Sequence, residues 1–371
     1  MTLIPTLLVW LPFILKIDNV LGIPLAKNGL QTIVSNYDGP LYMVVAKSFY
    51  SPQIIKESFA FPLPVEYYAA HFPLFPLLIR VVSVITYAPY AMLIVTVSSA
   101  FLAHLYFYKL ANMYLKSEQS LILVAIFAVF PARWLIVRSV GSPEPLFVAA
   151  IIASLYYFKN KKYLLAGVFG ALAQLTKSPG ILLFGAYGVI WVFDLLHNLA
   201  LINQRVKRKI NLKLLPILLI PLALFSVFYF YKVTYGTFTA YFNSGDNIHL
   251  FFPPFQIFNY SAPWVGTFWL EEVILIYAAG LLASIYLIKD KDQTLATFAT
   301  LFFTSLLFVS HRDLLRYALP LIPFMFIAFR NFMVSKEVRI VILFLLIPTY
   351  LFSLGFISQN VMPIADWSPF L

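Results

Sequence analysis

The sequence predicts an all-α, polytopic membrane protein with about eleven transmembrane helices and with juxtamembrane helices in its first outer loop. Hydrophobic residues make up 61% of the 371 residues, and charged residues make up 11%. A soluble domain carries roughly a quarter charged residues, so this composition excludes an ordinary soluble fold. Apolar runs of about 15 to 22 residues recur along the chain, and each could cross a hydrocarbon core as a helix.

The first apolar run, near residues 2–15, has neither the basic start nor the A-x-A cleavage pattern of a secretory signal, so we interpret it as an anchor. Segment 71–87 is long enough to span, but Pro73 and Pro76 each remove a backbone donor and Arg80 would lie in mid-bilayer. We interpret it as a re-entrant or surface-lying piece. The other crossings are predicted near 90–110, 119–137, 144–158, 163–177, 179–198, 214–231, 271–288, 294–310, 316–330 and 338–357.

The net charge of +11 arises mostly from short loops between these segments, which is typical of an orientation signal rather than of polyanion binding. A cytoplasmic N-terminus places every such loop inside. The inner basic groups are Lys109 and Lys116; Lys159, Lys161 and Lys162; Arg205 to Lys213; Lys289 and Lys291; and Arg330 to Arg339. Two long loops, 16–89 and 232–270, then lie outside.

The chain is predicted to be one membrane-embedded unit, residues 1–371, because no repeat or flexible linker interrupts it. Its first part, 1–198, carries the outer loop 16–89, and its second part, 199–371, carries the outer loop 232–270. Cysteine is absent, so neither a disulfide nor a thiolate contributes.

On this topology, polar residues from four distant segments meet the outer boundary. Asp38 lies in a Tyr-Asp-Gly-Pro turn before an apolar run suited to lying on the membrane, where partial desolvation would raise its pKa and strengthen it as a general base. The alternative is that Asp38 serves as a helix N-cap. Glu144 lies before the fourth crossing.

Lys177, Arg312 and Arg316 are candidate partners for an anionic group at the same face, since Arg binds phosphate oxygens in a fork and Lys acts as a point charge. Arg312 and Arg316, four residues apart, are expected on one side of a helix start, and His311 adds a donor-capable ring. Alternatively, Asp313 pairs with an arginine and the rest are solvated. Arg133 and Arg138 could snorkel to lipid headgroups.

Other motifs are weaker. The DKD at 290–292 has the Asp-x-Asp spacing of metal-binding nucleotide-sugar enzymes, but its place between lysines favours a solvated loop. The scattered histidines argue against a metal cluster. Asn259 begins an N-Y-S sequon. A base and a cationic cluster facing outward, where nucleotide sugars and ATP are not supplied, indicate a lipid-linked phosphate substrate.

Several stretches resemble the polytopic GT-C glycosyltransferases, and most closely the GPI mannosyltransferase II type, the PIG-V-like group. They cover most of residues 30–185 and again 306–325. The stretches are NYDGPLYMVVAKSFY, HFPLFPLLIRVVS, GSPEPLFVAAIIASLYYFKNKKYLLAGVFGALAQLTKSPGILL and HRDLLRYALPLIPF. The family usually has Trp at Tyr37 and commonly Arg at Lys177.

The resemblance implies a GT-C fold and an inverting transfer of a hexose, mannose by this likeness, from a polyprenyl-phosphate donor to a lipid, glycan or protein. It makes Asp38 the catalytic acid of the first loop, with Lys177, Arg312 and Arg316 stabilising the departing phosphate. Glu144 would orient a hydroxyl, and Tyr37, His71 and His311 join the substrate-binding set. The aromatic second loop would cover the site.

The predicted partners are the lipid-linked donor, the acceptor and membrane lipids, with no nucleic acid. No cofactor or metal is required by the resemblance, although some GT-C enzymes use a divalent ion. The protein would lie in the cell membrane with its site on the extracytoplasmic side.

Two other functions fit the composition. A transporter or flippase of a lipid-linked substrate would favour internal repeats and ionisable groups near the midplane, whereas here the charges concentrate at one face. A non-catalytic membrane subunit of a partner transferase is the third hypothesis.

Overall fold

The structure, a computed structural model, describes residues 1–200, 212–259, 261 and 270–371 and is predominantly α-helical. Most of the predicted basic loop from Arg205 and the end of the predicted loop 232–270 lie outside the described residues. Within them, strands β1 (Asn19–Val20) and β2 (Ile23–Pro24) pair antiparallel as a short hairpin.

The first apolar segment and the first long loop form five helices. They are α1 Leu3–Ile14, α2 Leu30–Val34, α3 Gly39–Ser48, α4 Pro52–Ser58 and α5 Leu74–Val82. A 3-10 helix, Val65–Ala70, precedes α5.

The middle of the chain is a series of apolar helices. They are α6 Ala88–Ala111, α7 Ser117–Val129, α8 Ala132–Val137, α9 Glu144–Lys159, α10 Tyr163–Thr176, α11 Ile181–Ala200 and α12 Leu219–Tyr235, the last preceded by a 3-10 helix, Leu212–Leu218. The segment predicted as one helix at 119–137 is therefore two, because Pro131 has no backbone N–H to continue the ladder.

The last third of the chain completes the bundle. Its helices are α13 Leu270–Lys289, α14 Gln293–Leu306, α15 Leu314–Ala318, α16 Ile322–Ala328, α17 Arg330–Met333 and α18 Lys336–Gln359. Helices α15 and α16 are joined by a 3-10 turn, Leu319–Leu321, so Leu314–Ala328 runs almost continuously.

Among the described residues, 5 helical stretches are long and apolar enough to cross a membrane. They are Ala88–Ala111, Ser178–Leu196, Lys213–Tyr235, Leu270–Lys289 and Lys336–Gln359. Leu3–Ile14, Ser117–Val129, Tyr163–Thr176 and Leu314–Ala328 are shorter apolar helices. The chain is thus a multi-pass membrane protein, and the count of about eleven crossings stays a prediction.

Segment 71–87 contains helix α5, which has 9 residues. A helix of this length is too short to cross a hydrocarbon core about 30 Å thick. Arg80 at its end donates from Nη1 to the backbone carbonyls of Ala46 (2.9 Å) and Lys47 (3.1 Å) at the C-terminus of α3. The arginine is therefore held by the favourable end of a helix dipole rather than by lipid.

Helix α3 was expected to lie on the membrane surface, and this expectation is wrong. Every residue of α3 except Lys47 is buried. The helix packs against α5 and α6, so the protein itself covers the apolar side chains that the sequence assigned to lipid. Because α3 is buried, the position of its first residue is fixed by packing, and Asp38 directly precedes that residue.

Candidate functional site

Four charged side chains from four distant segments meet at one end of the bundle. Arg316 donates from Nε to Oε1 of Glu144 (2.7 Å) and from Nη2 to Oδ2 of Asp38 (3.2 Å). Lys177 donates from Nζ to the same Oε1 of Glu144 (2.7 Å). We call Asp38, Glu144, Lys177 and Arg316 the charged cluster; the structure places these predicted site residues together.

The local sequence explains why Glu144 and Lys177 can be held there. Glu144 is the first residue of α9, where the positive end of the helix dipole favours a carboxylate. Lys177 follows the last residue of α10, where the negative end favours a cation. Only 2% of the Glu144 side chain is exposed, and Ser142 also donates to it, so this carboxylate is paired on both oxygens.

Asp38 precedes α3, yet its side chain makes no capping hydrogen bond, so the N-cap alternative does not explain it. Instead, 41% of the side chain is exposed while one oxygen accepts from Arg316. The next residue, Gly39, would place a Cβ 3.1 Å from the carbonyl oxygen of Gly141. Glycine therefore lets the start of α3 approach the loop that leads to Glu144.

The pKa of Asp38 differs from the expectation. Burial acts to raise this pKa, but the charge of Arg316 and the hydrogen bond from it hold the pKa below the ordinary aspartate value. The expected increase in the pKa of Asp38 is therefore wrong, because the guanidinium of Arg316 lies against this carboxylate, a contact that the sequence alone does not show. Asp38 is therefore ionised at neutral pH.

Tyr37 connects the charged cluster to a second ion pair. The guanidinium of Arg316 lies over its ring, 4.3 Å from the centroid. Its hydroxyl donates to Asp313 (3.4 Å) and accepts from Arg133 (3.0 Å), and Arg133 pairs with Asp313 (3.0 Å). Burial, followed by the charge of Asp313, raises the pKa of Tyr37, so its hydroxyl stays protonated as a donor.

The two predicted histidines flank the cluster. His71 is buried, and its burial lowers its pKa to about 4 although Asp38 acts to raise it. His311 accepts from the backbone N–H of Asp313 through Nδ1 (2.9 Å) and packs against His249, with ring centroids 4.4 Å apart. Burial is also the main reason that the pKa of His311 falls to about 3. Both imidazoles are neutral at pH 7.

The structure does not bring Arg312 to the charged cluster. Helix α15 begins at Leu314, so Arg312 precedes the helix, and the expectation that it shares a helical face with Arg316 is wrong. Arg312 is exposed and lines a separate cavity of about 450 Å³ with Arg133, Asp313 and Glu272. We call this cavity the Arg312 pocket. Of the alternative, one part holds, because Asp313 pairs with Arg133. The other part, that the remaining cations are solvated, is wrong for Arg316 and Lys177, which pair with Glu144.

Two further expectations are wrong. Arg138 does not snorkel to headgroups: it is fully buried and donates to the carbonyl of Thr2 and the hydroxyl of Thr6, both at 2.9 Å. Asp292 of the DKD motif is 9% exposed rather than solvated, because it pairs with Lys159 (2.7 Å) and caps α14. Within the part of the chain that the structure describes, no group of three or more His, Asp or Glu residues could hold a metal ion.

The described part of the second long loop reaches the same end of the bundle. Tyr241 shares a hydrogen bond with Ser178, next to Lys177 (2.8 Å), and the backbone of His249 accepts from Ser310 (2.9 Å). The sequence did not single out Ser142, Arg133 or Tyr241 as neighbours of the site. For Arg133 a signal was present, because a lone arginine within an apolar segment usually has a partner in the protein interior.

The fold is shared with a solved structure. The crystal structure of ArnT from Cupriavidus metallidurans, bound to undecaprenyl phosphate, matches with a TM-score of 0.56 and 12% sequence identity. The match covers 97% of this chain and 74% of that chain. The likeness shows that this chain shares the fold of ArnT. No family model and no curated protein sequence matches the chain.

Proposed function

We propose that the protein is a GT-C glycosyltransferase that moves a hexose from a polyprenyl-phosphate donor to a hydroxyl-bearing acceptor at the membrane. One observation carries the proposal: Arg316 joins Asp38 and Glu144, with Lys177 beside them, from four segments of a membrane bundle. The likeness to ArnT supports it, since that protein was crystallised with undecaprenyl phosphate. Mannose as the sugar and a place in the PIG-V-like group rest on the sequence resemblance.

In the proposed reaction, Asp38 takes the proton of an acceptor hydroxyl as that oxygen forms a bond to the anomeric carbon. The bond from the anomeric carbon to the phosphate oxygen breaks with inversion, and its electron pair leaves on polyprenyl phosphate. Asp38 suits this role because it is ionised and exposed on one side. A positioned base contributes about 10²- to 10⁴-fold.

Arg316 and Lys177 would stabilise the negative charge that grows on the departing phosphate, a contribution that is often the largest in such reactions. Each already binds Glu144, which holds both cations in place without substrate. Glu144 is therefore proposed to position the two cations as well as to orient a sugar hydroxyl.

The arrangement favours an enzyme over a transporter. The charged cluster lies at helix termini at one end of the bundle, whereas transporters hold such groups near the midplane. No metal is needed in this scheme, because the charge stabilisation comes from side chains. The orientation, with the site on the extracytoplasmic side of the cell membrane, is also proposed from the distribution of basic loops.

The test is Asp38→Asn in membranes supplied with radiolabelled polyprenyl-phosphate mannose. We expect transfer to membrane acceptors to fall by about 10²-fold or more, since the amide cannot take the proton. Asp18→Asn is the matched control, because Asp18 lies in the same loop and its side chain is 68% exposed. Full activity of a folded Asp38→Asn protein would remove Asp38 from the mechanism.

A further inference from the structure

The Arg312 pocket, of about 450 Å³, lies between α13, α15 and the C-terminal part of α18. Tyr37 joins it to the charged cluster: its hydroxyl contacts Arg133 and Asp313 of the pocket, and its ring packs under Arg316 of the cluster. Asp38 is the next residue in the chain. The pocket therefore adjoins the charged cluster through Tyr37, the residue before the proposed base.

The charges of the pocket balance, and this bears on what it can bind. Two arginines, Arg133 and Arg312, face two acids, Asp313 and Glu272. Arg133 and Asp313 already neutralise each other at 3.0 Å. Among the described residues, neither Arg312 nor Glu272 has an ion-pair partner, so the pocket offers one open donor group and one open acceptor group. The net charge of these four residues is zero, so net charge does not select for an anion in this pocket.

The remaining walls combine amides with an aromatic face. Gln359 is exposed, and among the described residues its side-chain amide has no hydrogen-bond partner. Asn360 donates to the side chain of Asn36 (3.1 Å), two residues before Asp38. Phe352 is 50% exposed and borders the same cavity.

We propose that the Arg312 pocket binds a neutral, hydroxyl-rich sugar ring, which under the proposed function is the carbohydrate part of the acceptor. Hydroxyl groups both donate and accept, so they match a site that offers guanidinium and amide donors together with carboxylate and amide acceptors. The exposed face of Phe352 meets the apolar side of the ring. This inference rests on the proposed function in one respect, namely that the bound sugar is part of the acceptor. Binding of a sugar in the pocket does not depend on it.

The test measures binding directly, without turnover. Purified protein in a phosphocholine detergent, which carries no sugar, is probed with octyl mannoside by saturation-transfer NMR. We expect the native protein to bind octyl mannoside, and we expect Phe352→Ala and Gln359→Ala each to bind it about fivefold to tenfold more weakly. A loss of affinity of this size corresponds to the contribution of about one neutral hydrogen bond. Phe344→Ala is the matched control, since Phe344 lies on the same helix and is 72% exposed.

Three results would overturn the inference: no binding of octyl mannoside, binding unchanged in both pocket variants, or tighter binding of octyl phosphate than of octyl mannoside. A thermal unfolding curve for each variant excludes loss of folding as the cause of weaker binding.

Labelled polyprenyl-phosphate mannose then separates this inference from the proposed function. Phe352→Ala should transfer less label to membrane acceptors at an unchanged KM for the donor, whereas Arg316→Ala should raise the KM for the donor. If octyl mannoside binds but the donor is never consumed, the proposed function fails and the sugar site stands.

Discussion

Arg316 connects groups that lie far apart in the sequence. It donates to Glu144 and to Asp38, and its guanidinium packs on Tyr37. A donor phosphate that binds Arg316 must share it with these carboxylates. Under the proposed function, the pKa of Asp38 is therefore coupled to donor binding, because any weakening of its contact with Arg316 lets this pKa rise.

This coupling predicts a pH dependence. Asp38 must be ionised to act as a base, and its pKa in the free protein is lowered, so activity should be lost only as pH falls through that low value. We expect kcat/KM for labelled donor to be flat between about pH 5 and 7 and to fall below that range. A lysine at position 316 cannot bond Glu144 and Asp38 through separate nitrogens as the guanidinium does. In Arg316→Lys the decrease in kcat/KM should therefore begin at higher pH. A fall centred near pH 6 in the native enzyme would contradict the assignment.

Glu144 gives a prediction about stability. Glu144→Gln removes the carboxylate that Lys177 and Arg316 share and leaves two poorly solvated cations without it. Breaking a buried pair in this way costs about 3 to 5 kcal/mol, and we expect a lower Tm in detergent. The double variant Glu144→Gln with Lys177→Met should regain part of the loss. Glu118→Gln, at an exposed helix start, is the control and should leave Tm unchanged.

Packing between helices depends on small residues at close contacts. A Cβ at Gly167 of α10 would lie 2.1 Å from the carbonyl oxygen of Pro216, and one at Gly170 would lie 2.5 Å from the side chain of Ile220. Glycine at these two positions lets α10 closely approach the 3-10 helix before α12 and the first turn of α12, as small residues do between membrane helices. Lys177 follows the last residue of α10, so the placement of α10 bears on the position of this cation.

Gly167→Ala should therefore destabilise the protein by about 1 to 3 kcal/mol, the usual cost of overpacking. Gly188→Ala is a matched control, because a Cβ at Gly188 of α11 meets nothing within 4 Å. The control should be neutral or slightly stabilising, since alanine favours a helix more than glycine does. Thermal unfolding of both variants in one detergent makes the comparison. Equal Tm values would show that α10 can move away from α12 at little cost.

The sequence predicted the helices better than it predicted their surroundings. Apolar runs locate α6, α13 and α18 to within a few residues, because membrane thickness fixes both run length and helix length. Apolar composition could not distinguish α3, which packs against protein, from a helix that packs against lipid. For the same reason the sequence grouped Arg312 with Arg316, although the helix start at Leu314 separates them.

Charge distribution over the whole chain leads to the last prediction, which concerns orientation. The proposed donor is a lipid because soluble activated sugars are absent outside the cell, so the proposal requires the charged cluster to face outward.

Single cysteines can test this orientation, because the native chain contains no cysteine. An impermeant thiol reagent should label Lys56→Cys, in the first long loop, and should not label Lys161→Cys, between α9 and α10. Both positions are exposed in the structure. Permeabilised cells should label both, which controls for reactivity. The opposite pattern would turn Asp38 toward the cytoplasm, where nucleotide sugars are supplied, and would remove the reason to expect a lipid-linked donor.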